Sequence, residues 1–242
     1  MPVAIKECGL FMGAFLLLVV AALIHRSTIM LIECGIVAKK YNLEELMRHL
    51  FGVHGYNITT FAMFLFAYGA MIAYMVIIGD TVPIALNYFI GEDSPGRTVI
   101  LLITACGIIL PLSSLRDMSS LSSTSALSIF ADFLMIVFIC SRGSAAAKTE
   151  DTSFNYPEDV TFITSNIFEG IGTISFAFVC QHSSFIVYRT MKDRSLDNWT
   201  TIANYCLGVA FVMCLTLGLV GYLTFGSNVN GDIMTNFPDN GK

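Results

Sequence analysis

Residues 168–185 read FEGIGTISFAFVCQHSSF and sit inside an apolar run from Phe162 to Tyr188. The run is long enough to cross a bilayer core, which takes about 20 apolar residues per helix. Yet it carries Glu169, two closely spaced glycines, several hydroxyls, Gln181 and His182. Hydrocarbon penalises each of these groups. The penalty falls if the helix is interrupted and faces a cavity, because irregular backbone survives at membrane depth only against protein or water. Gly170 and Gly172 weaken the helix by about 1 kcal/mol each relative to Ala. Ser175, Ser183 and Ser184 offer hydrogen bonds to freed backbone groups. The backbone near Ser175–Phe178 is therefore expected to leave helical geometry in mid-bilayer. The competing reading is a kinked but continuous helix whose small residues pack against neighbours.

Working outward, the rest of the chain is equally apolar. Of 242 residues, 55% are hydrophobic and 13% charged, about half the charged share of a soluble domain. Mean hydropathy is +0.71. Five further apolar runs are legible: Leu10–Ile32, Thr59–Ile78, Thr98–Leu112, Ser125–Cys140 and Thr201–Phe225. The expectation is an all-α polytopic helix bundle of about six spans, with Thr98–Leu112 the shortest. Pro83 is expected to end the second helix, because proline lacks the N–H that continues a helix.

The loops holding Lys39, Lys40, Arg48, Arg116, Arg189, Lys192 and Arg194 outweigh in positive charge those holding Arg97, Arg142, Lys148 and Lys242. Positive loops stay cytosolic, so residue 1 is placed outside and the sequons at Asn57 and Asn198 inside, unglycosylated. The net charge of −5 argues against nucleic acid as a partner. Seven cysteines without a CxxC pair indicate neither a zinc site nor a redox motif; no metal ligand is assigned.

Buried ionisable groups mark function or packing. Asp132 is read as a hydrogen bond to a neighbouring helix or, alternatively, as a proton or cation site. Glu169 is placed near the outer interface. His182 is read as a structural hydrogen-bonder in preference to a relay. Half-helix ends carry partial charge and hold zwitterions and coupling ions in secondary transporters. Phe176 and Phe178 flank Ala177 as an apolar wall. In the second run Tyr74 lies one turn from the small-residue face Gly69, Ala70 and Ala73.

Four blocks, LFGVHGYN, GAMIAYMVIIGDTVP, LPLSSLRDMSSLSSTS and SFAFVCQHSSFIVYRTM, resemble the sodium-coupled neutral amino acid transporters of the amino acid/auxin permease family. The likeness covers almost the whole chain, and the second and fourth blocks carry most of it. It implies a partial LeuT-like inverted-repeat fold. The six runs match helices two to seven, and MPVAIKECGLFMG matches the tail of helix one, with Val3 in place of an aromatic. By that scheme residues 1–242 form one transmembrane domain: 1–141 most of the first repeat, 142–161 an extracellular loop, 162–242 the start of the second repeat.

The resemblance further implies a secondary active symporter of small neutral amino acids working by alternating access, not an enzyme. Thr173, Ser175, Phe176, Ala177 and Phe178 then line the substrate site, with Tyr74 facing it. No bound cofactor is implied beyond a coupling ion, sodium or proton. The substrate is an amino acid, the surroundings are lipid, and oligomeric state is left open. A multi-pass position in the plasma or vacuolar/lysosomal membrane follows. Most of helix one and helices eight to eleven have no counterpart in the chain, so the chain alone is not expected to transport. An amino acid sensor of the same fold is the alternative.

Overall fold

The computed structural model describes residues 1–90, 96–114, 122–146 and 166–226, with 229 and 231. The described residues are helical, with no strand among them. In order they form α1 (Pro2–Cys8), α2 (Leu10–Ala38), α3 (Leu43–Ile90) and α4 (Arg97–Thr104). A π-helical turn (Ala105–Ile109) leads into α5 (Leu110–Ser113); then come α6 (Ser122–Ala146), α7 (Ile167–Ala177), α8 (Gln181–Thr190) and α9 (Leu196–Phe225). Leu10–Ala38, Leu43–Pro83, Ile167–Thr190 and Leu196–Phe225 are long and apolar enough to cross a membrane; Arg97–Ile109 and Ser125–Ser141 are shorter. The chain is an all-α membrane helix bundle.

Sequence chemistry explains most boundaries. Gly9, at φ 89° and ψ 149°, separates α1 from α2, in a region of backbone space that is essentially reserved for glycine. Lys39 closes α2 in the left-handed conformation, and the Lys40 N–H bonds the Gly35 carbonyl at 2.9 Å, a common helix stop. Ser195 caps α9 by accepting from the Asn198 N–H at 3.3 Å. Pro111 has no N–H for the Gly107 carbonyl, and the widened π turn directly precedes it.

Two expectations need correction. Pro83 lies inside α3, which continues to Ile90. Transmembrane helices tolerate proline where neighbours cover the freed groups; here Arg97 packs over Gly79, four residues back, and pairs with Asp80 at 3.0 Å. Asp132 is exposed on α6 rather than bonded to a neighbouring helix. Of the loop expected over 142–161, residues 142–146 continue α6, and residues 147–161 lie outside the described residues.

The short α1 is the hub. Ile5 is fully buried between two glycines. A Cβ on Gly13 of α2 would stand 3.1 Å from the Ile5 Cα, and one on Gly218 of α9 2.6 Å from its Cδ1. Gly170 of α7 does the same for Cys8: a Cβ there would collide with its Sγ. These absences of side chain let backbones approach closely, which is how helices associate where no hydrophobic drive separates protein from lipid. A second core joins Ile32, Leu46, Phe185, Tyr188 and Trp199 at the other end of α2, α8 and α9. There the Tyr188 hydroxyl donates to the Arg194 carbonyl at 2.6 Å. Together the two cores hold α7 and α8 at opposite ends of one interrupted span.

Candidate functional site

The interruption spans Phe178, Val179 and Cys180. Phe178 adopts φ −101°, ψ 1°, and Cys180 φ −134°, ψ −3°, both away from helical values. Only long bonds cross into it: Phe178 N–H to the Ser175 carbonyl at 3.3 Å and Val179 N–H to the Phe176 carbonyl at 3.4 Å. The break thus begins at the last residue of the Ser175–Phe178 segment expected from sequence and runs two residues beyond it. The reason lies in α1. Gly170 and Ile174 are buried against it, so α7 stays helical through both glycines to Ala177. Gly170 serves close packing, and Gly172 faces open space.

Side chains just past the break hold it in place. The Cys180 N–H donates to Gln181 Oε1 at 3.2 Å. The Ser183 and Ser184 hydroxyls both donate to the Cys180 carbonyl, at 3.1 and 2.9 Å. One residue therefore has its donor and acceptor satisfied locally. This meets the demand that membrane backbone be paired. The backbone at the end of α7 and the first N–H groups of α8 remain as half-helix ends.

A cavity of about 290 Å³ opens at the break. Its walls come from α2 (Thr28), the break itself, the start of α8 (Ser183) and α9 (Trp199, Cys206). Thr28 is buried, donates to the Ile24 carbonyl at 2.8 Å and lies 3.7 Å from the Cys180 sulfur. The lining is predominantly apolar, and no charged side chain contributes. On the α3 side, the Phe66 ring lies 5.7 Å from Phe176 and 5.1 Å from His182.

The sequence-selected residues divide accordingly. Ala177 lines the cavity. Phe178 edges it while its ring is buried against Ala4, Cys8, Leu17 and Ile174. Phe176 is 47% exposed and turns toward Phe66, so the two phenylalanines do not form one wall. Ser175 is half-buried. Thr173 is exposed, its hydroxyl bonded to the Glu169 carbonyl of its own helix at 3.1 Å. Tyr74 is 62% exposed and stands about 12 Å along α3 from Phe66 at the helical rise. His182, expected to be a structural hydrogen-bonder, has a buried Nδ1 with no partner; so does Trp199 Nε1. Thr28, Phe66 and Trp199 escape sequence reasoning. Thr28 and Phe66 carry no motif, and the single tryptophan was the only available signal.

Comparison with known proteins agrees with this architecture. A family model described as "Transmembrane amino acid transporter protein" matches residues 1–241. Relatives of Danio rerio and Homo sapiens, each named "Putative sodium-coupled neutral amino acid transporter 11", are 28% identical over 98% and 96% of this chain. These alignments cover 53% and 57% of the relatives. The "Vacuolar amino acid transporter 2" of Saccharomyces cerevisiae is 28% identical over 98% of the chain and 50% of its own length. The chain spans about half the length of the curated relatives it matches. No solved structure matches it. With the family model covering nearly every residue and the interrupted span in place, this chain belongs to the transmembrane amino acid transporter family.

Proposed function

We propose that the protein is a secondary active transporter of small neutral amino acids, in which the break between α7 and α8 receives the substrate during alternating access. The observation that carries this reading is the three-residue interruption Phe178–Cys180 beside a cavity of about 290 Å³ without charged walls. Half-helix ends suit the charged ends of a zwitterion, and a small apolar cavity suits an uncharged side chain. Ala177 and Phe178 meet the substrate at the break, with Phe176 on the α3 side. Ser175, Thr173 and Tyr74 lie along the approach to it. The coupling ion is sodium or a proton; the names of the vertebrate relatives favour sodium. In this reading the chain is part of a LeuT-like inverted-repeat fold, with residues 1–141 in one repeat and 162–242 in the next. The protein moves its substrate without covalent chemistry.

The test is uptake of labelled L-alanine by the full-length protein in proteoliposomes under an inward sodium or proton gradient. Ala177→Trp fills the cavity from an exposed helix terminus and is expected to abolish gradient-driven uptake while the protein remains monodisperse. Uptake unchanged by that substitution overturns the proposed site.

A further inference from the structure

At the end of the bundle that the excess of positive loops marks as cytosolic, two segments far apart in sequence meet, 39–48 and 189–197. The Tyr41 and Tyr188 rings stack there with centroids 6.1 Å apart, and Arg189 Nη1 donates to Asn42 Oδ1 at 3.1 Å. The first segment carries Lys39, Lys40 and Arg48, the second Arg189, Lys192 and Arg194. Among the described residues the ion pair is Arg97–Asp80, toward the opposite end of α3, and none of these six cations is paired with a carboxylate. Four carboxylates share the two segments. Glu44, Glu45 and Asp197 sit in the first turns of α3 and α9, where the helix N-terminus suits them. Asp193 accepts from Asn198 Nδ2 at 2.8 Å. Positive charge remains in excess.

Arg189 and Arg194 are the fixed part of that charge. Arg194 Nη2 donates to the Arg189 carbonyl at 2.8 Å, and the Arg194 carbonyl accepts from the buried Tyr188 hydroxyl at 2.6 Å. Every acceptor in this chain of bonds is uncharged. Both arginines are exposed, and most of the five N–H donors of each guanidinium stay free for an anion. We propose that this pair binds the phosphate of an anionic phospholipid in the cytosolic leaflet, with the four other cations drawing the headgroup in. Guanidinium forks match phosphate oxygens, and a basic cluster at the cytosolic end of a span attracts anionic headgroups. The flank decides for lipid over a free anion. Val37, Leu50 and Phe51 bracket the first segment and are 80%, 55% and 66% exposed, an apolar surface that the headgroup–acyl boundary covers. The ten residues of α8 run from the break to this site, so a bound headgroup steadies the cytosolic half of the interrupted span.

The experiment is binding of a fluorescent phosphatidylserine to the full-length protein in neutral detergent micelles, with fluorescent phosphatidylcholine as the reference. The native protein is expected to bind phosphatidylserine about tenfold more tightly or better, with the preference shrinking as salt is raised. Arg189→Gln combined with Arg194→Gln is expected to remove the preference while leaving phosphatidylcholine within about twofold. Arg189→Lys combined with Arg194→Lys keeps the charges without the planar fork. It is expected to retain part of the preference and guards against a folding defect in the neutral pair. A preference that survives the glutamine pair overturns the proposal, as does equal weakening of both lipids or a native protein that does not discriminate between them. Displacement of phosphatidylserine by equimolar inorganic phosphate marks a site for a free anion and overturns it too.

Discussion

Two kinds of interruption divide the helices of this protein, and they are built from opposite materials. At Gly9 and Gly52 the backbone turns to φ 89° and φ 70°, where only glycine is comfortable. Nothing stands within 4 Å of a Cβ placed on Gly52, so the break there owes little to its surroundings. At Phe178–Cys180 no residue has positive φ. Any L residue can adopt those angles, and helix would ordinarily win. The break exists because neighbours hold it: α1 packs α7, the second core packs α8, and three side chains bind Cys180. A glycine break is a property of a residue, whereas the break at the cavity is a property of the assembly. Such a break can answer to a ligand, since its helical alternative carries no backbone strain.

Substitutions at the two kinds of site sharpen this contrast. The largest effect is expected from Gly170→Val, whose Cβ would collide with the Cys8 sulfur and stand 2.9 Å from the Ala4 carbonyl. Displacing α1 in this way is expected to lower stability by about 3 kcal/mol, read by denaturation in mixed micelles. Gly172→Val, two residues on in open space, serves as the neutral comparison; equal effects at both would undo the account of α1 as the hub. Next comes Gly52→Ala, where strain alone is expected to cost about 2 kcal/mol in the same assay. Ser184→Ala removes the 2.9 Å bond to the Cys180 carbonyl and is expected to cost about 1 kcal/mol. Its Cys180→Ala counterpart is expected to stay within about 0.5 kcal/mol. A large penalty for Cys180→Ala would mean that residue identity sustains this break too.

The Pro83 and Gly170/Gly172 readings failed for a common reason. Each assigned to a residue an effect that depends on what packs beside it. Pro83 ends a helix in isolation, but Arg97 and Asp80 accompany it here. Glycines weaken a helix in isolation, but Gly170 is the contact through which α7 is held helical. His182 shows the reverse case. Its type was legible, but the absence of a partner became visible only once Phe66 and Phe176 were brought to it.

Composition and hydropathy by themselves determined that this chain is a bundle of membrane helices, roughly where each span lies, and that the span around residues 168–185 is unusual. Those are sums over local properties, and solvent transfer acts on each segment alone. Only the tertiary structure decided which three residues leave the helix, which face of the break is lined by α2 and α9, and which of the polar groups is left without a partner. Each of those outcomes is a competition between hydrogen bonds and packing contacts contributed by segments far apart in sequence, and it is settled only when they meet.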